Sequence, residues 1–147
     1  MKYQKLTGDC LIMTSYDTPR KFFSVFNHTL TEQQIRDIKN NLKVDIIVPL
    51  PESLKPVWGQ IPPELKSIND FIAPVKHWVK ANAHESDIIL LQGDFGATWL
   101  MVKFAFENRL IPVYATTSRK VSEKKQKDGS LKTEHIFVHQ IFRKYGS

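Results

Sequence analysis

The sequence predicts an α/β fold, a mostly parallel sheet with flanking helices and a C-terminal β-hairpin. Three observations predict it. Short apolar runs alternate with stretches of helical periodicity, the pattern of a parallel sheet covered on both faces. One run, residues 87–92, leads directly into Gly93, Asp94, Gly96 and Thr98 and then into a helical stretch, a strand–turn–helix unit. Asp128-Gly129 separates two strand-like segments and signals a hairpin turn.

Residues 1–21 show no periodicity and are read as a flexible N-terminal extension to a single domain of residues 22–147. Residues 22–26 form the first strand. Thr31 is a good N-cap with Gln34 at the capping-box position, so a helix runs from there to about residue 41, burying Ile35 and Ile38. Residues 45–49 are a second buried strand. Pro51 opens a short helix near residues 54–58. A longer helical pattern runs from Leu65 through Val79, with Pro74 inside it predicting a break or kink. Strand three covers residues 87–92 and its helix runs to about residue 108. Strand four is residues 111–116, and the hairpin joins roughly 119–126 to 133–142. The order is therefore β-α-β-α-α-β-α-β followed by a hairpin.

At 147 residues the chain is long enough for one domain with a proper core. Its 41% apolar and 24% charged residues are those of an ordinary globular protein. A single cysteine, Cys10, rules out an intrachain disulfide framework and suits a reducing, cytoplasmic setting. No apolar stretch is long enough to span a bilayer, and the one near the N-terminus is too short for a secretory signal. Asp, Glu, His and Cys do not gather at ligand spacing, so neither a metal site nor a cofactor is expected. The net charge is +6, and residues 119–147 carry eight Lys/Arg against three acids, a net +5. Such a basic segment suits a polyanionic ligand or forms a solvated hairpin tip.

Ligands of doubly wound sheets bind beyond the carboxyl ends of the strands. Four segments converge there: 27–31, 50–53, 93–98 and 116–119. Gly93, Asp94, Phe95, Gly96, Ala97 and Thr98 form a helix start whose unpaired N–H groups can hold a phosphate, with the glycines leaving room for close approach. The turn is neither GxGxxG nor Walker A, so ordinary dinucleotide or ATP binding is poorly supported. Asp94 is a helix cap, a ribose acceptor or a base, and capping requires least. Thr116, Thr117, Ser118 and Arg119 offer three hydroxyls and a guanidinium to a phosphate or ribose, or form a plain polar loop. His28, between Asn27 and Thr29, is a candidate acid/base or a structural histidine. His139 and Arg143, four apart on a strand, should share a face toward a ligand or a second subunit. Trp58, Trp78 and Trp99 read as packing residues, with Trp99 placed to stack on a base.

Several of these segments together resemble a small CRISPR-associated family, the stand-alone CARF-domain type named Csx-twenty. They are residues 27–31, 61–63, 93–98, 111–117, 128–130 and 142–145, and the similarity covers about residues 22–145. The resemblance implies a Rossmann-like CARF fold acting as a homodimer. It implies binding of cyclic oligoadenylate, most often cyclic tetra-adenylate, and cleavage to linear di-adenylate with a 2′,3′-cyclic phosphate, which switches off type III CRISPR signalling. This ring-nuclease chemistry uses the ribose 2′-OH as nucleophile and no metal. On it, His28, Arg119 and Arg143 are the catalytic candidates. Asn27, Thr29, Gly93, Asp94, Phe95, Gly96, Ala97, Thr98, Thr116, Thr117, Ser118 and His139 are the ligand-binding candidates. The alternatives are a non-catalytic sensor or sponge for the messenger, or a general RNA-binding protein. No membrane and no stable DNA or long-RNA partner is expected.

Overall fold

The computed structural model describes residues 18–147. The expected extension lies outside the described residues as far as residue 17. The elements are β1 (Lys21–Val25), α1 (Glu32–Asn40), β2 (Ile46–Pro49), α2 (Lys55–Gly59), α3 (Ala73–Asn82), β3 (Ile88–Leu91), α4 (Phe95–Glu107), β4 (Ile111–Lys125) and β5 (Leu131–Lys144). They form one five-stranded sheet in the order β2-β1-β3-β4-β5. The first four strands are parallel, and β5 pairs antiparallel with β4. The α/β class with a C-terminal hairpin is as the sequence predicts.

Side-chain alternation along the strands divides the core. Phe22, Leu90 and Val113 face α1 and meet Ile38, Val44 and Phe142. Phe23, Val25, Ile89 and Leu91 face the other way and pack with Trp58, Val75, Val79, Met101 and Ala105 from α2, α3 and α4. One short helix therefore covers one face and three cover the other. β3 is buried along its whole length, as expected of a central parallel strand. Asp87, 3% exposed, ties the amino ends of the strands together. It accepts the Lys21 amide and the His84 amide, both at 2.8 Å.

Thr31 caps α1 in a full capping box with Gln34. Two local expectations are corrected. Pro74 does not kink a longer helix: it occupies the first turn of α3, where a missing N–H costs nothing, and residues 65–72 before it are irregular, ending in a turn at 69–72. Strand four does not end at Thr116 in a polar loop, because β4 runs on to Lys125, with Thr116, Thr117, Ser118 and Arg119 inside it. The Asp128-Gly129 turn is present, with Gly129 at φ 84° and the Gln126 amide donating to the Ser130 carbonyl at 2.8 Å.

The length of β4 gives the molecule its most unusual feature. β3 pairs with β4 only as far as Leu90 against Val113. Ten residues of β4 past Ala115 and their β5 partners project beyond the carboxyl end of the sheet. At about 3.4 Å per residue this arm reaches roughly 30 Å. With its turn it carries six Lys/Arg and three acids, half of the chain's net charge of +6.

The antiparallel register slips between Ala115 and Thr117. Gln140 and Ile141 stand opposite Thr116 alone, a β-bulge. Thr116 fills the irregularity: its hydroxyl donates to the Ile141 carbonyl at 3.1 Å and accepts the Ile141 amide at 3.2 Å.

Candidate functional site

The connections from β1 and β3 leave in opposite directions, to β2 on one side and β4 on the other. The gap between their carboxyl ends is the switch point of the sheet, where open α/β folds place ligands. A cavity of 450 Å³ opens there. Its lining is Phe26, Asn27 and His28 from the β1 loop, Trp58, Gly59 and Ile61 from around α2, and Gln92, Gly93 and Asp94 from the β3 loop.

Each wall is fixed by its neighbours. Trp58 is 1% exposed, and its Nε1 donates to the Gln92 carbonyl at 2.9 Å. Gln92 in turn accepts the Ala115 amide on Oε1 at 2.9 Å, which leaves its amide nitrogen as a donor at the cavity. Asp94 caps α4 by accepting the Ala97 amide at 2.9 Å. That leaves the Phe95 and Gly96 amides of the first turn without an intrahelical acceptor. The His28 ring sits edge-on to Phe26, with centroids 5.1 Å apart. Three donor groups thus face one space: the Asn27 amide, the Gln92 amide and the His28 ring.

The glycines have a different job from the one expected. A Cβ on Gly93 would come 2.9 Å from Trp58 Nε1, and one on Gly96 would come 3.3 Å from Asp94 Oδ1 and Ile68 Cδ1. Both positions are small to admit protein neighbours. Gly59 is a third such position, where a Cβ would land on the Asn27 side-chain amide.

Of the sequence candidates, Asn27, His28, Gly93 and Asp94 meet at the cavity. Thr29 lines an adjoining apolar cavity of 260 Å³ with Ser24, Leu30, Ile35 and Ile47. Phe95, Gly96, Ala97 and Thr98 lie in α4 outside the lining, and Thr98 Oγ1 is buried without a hydrogen-bond partner. Thr117, Ser118 and Arg119 lie on the arm, where Gln140 Nε2 donates to Ser118 Oγ at 2.9 Å. Arg143 Nη1 donates to the Tyr114 hydroxyl at 3.2 Å, with the guanidinium 5.7 Å from that ring's centre. Beside them Tyr145 donates to the Leu91 carbonyl at 2.8 Å, and its burial pushes the phenol above its ordinary pKa.

His139 and Arg143 do not share a face. The bulge adds one residue to β5 between them and reverses the alternation. His139 and Phe142 point toward α1 with rings 4.7 Å apart, while Arg143 pairs with Tyr114 on the opposite side. His139 is 5% exposed, and its Nε2 lies 2.7 Å from Asp37 Oδ2. It is a buried pin between β5 and α1.

Sequence reasoning missed Phe26, Trp58, Gly59, Ile61 and Gln92 as cavity residues. The one signal was Trp58-Gly59 itself, a bulky anchor next to a residue with no side chain. Among the described residues no group of three or more His, Cys, Asp or Glu is arranged to hold a metal ion. No helix among them is long and apolar enough to cross a membrane.

Residues 20–143 match the family model described as "Uncharacterized protein MJ1673 family". The chain is 44% identical over 125 residues to "Uncharacterized protein MJ1673" of Methanocaldococcus jannaschii, covering 85% of this chain and 96% of that protein. Neither description speaks of CRISPR defence or of a CARF domain. No solved structure matches the chain.

Proposed function

The chain belongs to the MJ1673 family, and we propose that it is a ring nuclease that binds and cleaves cyclic oligoadenylate at the ends of β1 and β3. One observation carries this reading. The donor-lined cavity and the basic arm lie at the same end of the sheet, so a ligand with a polar nucleoside unit and several phosphates can meet both. A ring of four nucleotides is wider than one 450 Å³ cavity. One nucleoside unit enters the cavity, and neighbouring phosphates lie toward the arm and Arg119. Two copies of the chain then suit a two-fold symmetric ring.

In the proposed reaction the ribose 2′-OH attacks the adjacent phosphorus in line. The phosphorus–5′-oxygen bond breaks and leaves a 2′,3′-cyclic phosphate. The protein holds the ribose in the attacking geometry and stabilises charge on the phosphoryl oxygens. His28, at the cavity mouth, moves the proton. Asn27 and Gln92 supply donors. A specific observation favours a second reading, that of a messenger sponge. Arg143 is engaged with Tyr114 and Arg119 stands on the arm, so no guanidinium lines the cavity.

Incubation of labelled cyclic tetra-adenylate with the protein in EDTA distinguishes the two. We expect linear di-adenylate carrying a 2′,3′-cyclic phosphate. Tight binding with intact ligand after many hours supports the sponge. No binding of the cyclic ligand, with binding of unrelated RNA, overturns both.

A further inference from the structure

We propose that α4 is the surface through which two copies of this chain associate. The inference takes up only the two-copy part of the preceding reading and assigns it a surface. Apart from Thr98 and a narrow polar side at Lys103 and Glu107, the segment FGATWLMVKFAFE is apolar around the helix. A helix so largely apolar belongs mostly in a protein interior. Here Met101 and Ala105 are buried, but Phe95 is 93% exposed, Trp99 67% and Phe106 52%. At 3.6 residues per turn these three fall within an arc of about 40°, so they form one aromatic stripe along the outside of the molecule.

Area supports a protein partner of ordinary size. Aromatic side chains bury 150–250 Å² each, so at these exposures the stripe offers roughly 400 Å², about half of one side of a standard interface. A patch of this size matches the largest on an ordinary monomer, which is often functional. The stripe also supplies the aromatic anchors on which interface energy concentrates.

Charge identifies the occupant as a second copy. The exposed charges on α4 are Lys103 and Glu107, paired with each other at 3.9 Å, so this face is neutral and unsuited to a polyanion. Of the other exposed large apolar residues, Ile46 and Leu65 stand apart on β2 and on the connection before α3, whereas Val121, Leu131, Ile136, Phe137 and Ile141 lie along the arm and its base among its lysines. Two arms would repel, whereas two α4 faces do not. A neutral aromatic stripe meeting its own copy about a two-fold axis gives a closed, isologous contact. The stripe begins one residue beyond Asp94, so this contact adjoins the cavity.

Sedimentation velocity of the full-length chain, with no ligand present, tests the proposal. We expect a dimer at micromolar concentration. Trp99→Glu and, separately, Phe95→Ser should each weaken it roughly thirtyfold or more, as loss of an interface anchor does. Both positions are exposed, so thermal unfolding of the dilute variants should stay close to the parent; should Trp99→Glu fail to fold, Phe95→Ser decides. A parent chain that is monomeric throughout overturns the proposal. So does a dimer that a folded variant leaves intact, or a monomer whose Trp99 is shielded from a fluorescence quencher by the chain's own N-terminal segment. Because no ligand enters the measurement, failure here leaves binding at the cavity standing.

Discussion

His139 shows how much one residue's role depends on a backbone irregularity several positions away. With regular alternation it would stand beside Arg143 and Tyr114. One added residue in β5 turns it inward against Phe142 and Asp37, where only Nε2 finds a partner and Nδ1 has none. Asp37 is 9% exposed and also accepts from Asn41 Nδ2, while Gln33 Nε2 donates to the His139 carbonyl at 2.9 Å. These bonds are the polar link between α1 and β5. His139→Phe should cost about 1–3 kcal/mol, because it takes one hydrogen-bond partner from buried Asp37 and leaves it Asn41 alone. Asp37→Leu combined with His139→Phe should recover most of that loss, since replacing both partners of a buried hydrogen bond by apolar groups leaves no polar atom unsatisfied. Urea denaturation of these two variants and of Asp37→Leu alone gives the coupling; equal losses in His139→Phe and the double variant would mean the pair is not what holds this site. Sequence periodicity could not show any of this. Alternation predicts a face only while the register is unbroken, and nothing in Gln140-Ile141 announces a bulge. The cap of α4 was legible for the opposite reason: Asp94 acts three residues along its own chain, and local bonds are written in local sequence.

The arm is the element whose meaning changes most with structure. Its two halves were visible as strand-like segments, as was the turn joining them. What the sequence concealed was that the first half continues strand four with no loop between, so polar residues 116–119 ride on a ladder instead of closing a pocket. Neither core cluster includes a residue between 116 and 138. The arm is therefore held at its base alone, and an isolated two-stranded ribbon is only marginally stable in water. Replacing residues 119–137 with Asn-Gly should leave the fold and its unfolding temperature close to unchanged, because Ser118 and Val138 are already paired. It removes six cations and three acids. If the arm meets phosphates, the slope of log affinity against log salt should become shallower by about 2, at roughly 0.7 per charge for single-stranded ligands. An unchanged slope for cyclic tetra-adenylate would assign the positive charge to solubility.

At the scale of the whole molecule, strand order decides where chemistry can occur. Order cannot be read from a list of elements, but its consequence can be anticipated. Any doubly wound sheet has a point where successive connections part, and here it falls between β1 and β3. Three separate stretches of chain, around His28, Trp58 and Asp94, meet there and nowhere else in the fold. None of them shares a strand with another, so the cavity exists only in the folded state. A ligand bound there stabilises the native state alone, by about 2.7 kcal/mol at one hundred times its dissociation constant. For a chain of this size each kcal/mol raises the unfolding midpoint by about 2–4 °C, so saturating cyclic tetra-adenylate should raise it by roughly 5–10 °C. His28→Ala should leave the unliganded midpoint close to unaltered, since the residue is exposed and its ring rests edge-on against Phe26. Asn27→Leu should do the same. Both should shrink the ligand-induced rise, because they remove donors from one shared wall. Differential scanning calorimetry with the cyclic ligand, linear di-adenylate and adenosine monophosphate separates the possibilities. A rise of equal size for all three would show that the cavity reads a single nucleotide and ignores the ring. A rise that survives both substitutions would move the binding site away from the switch point.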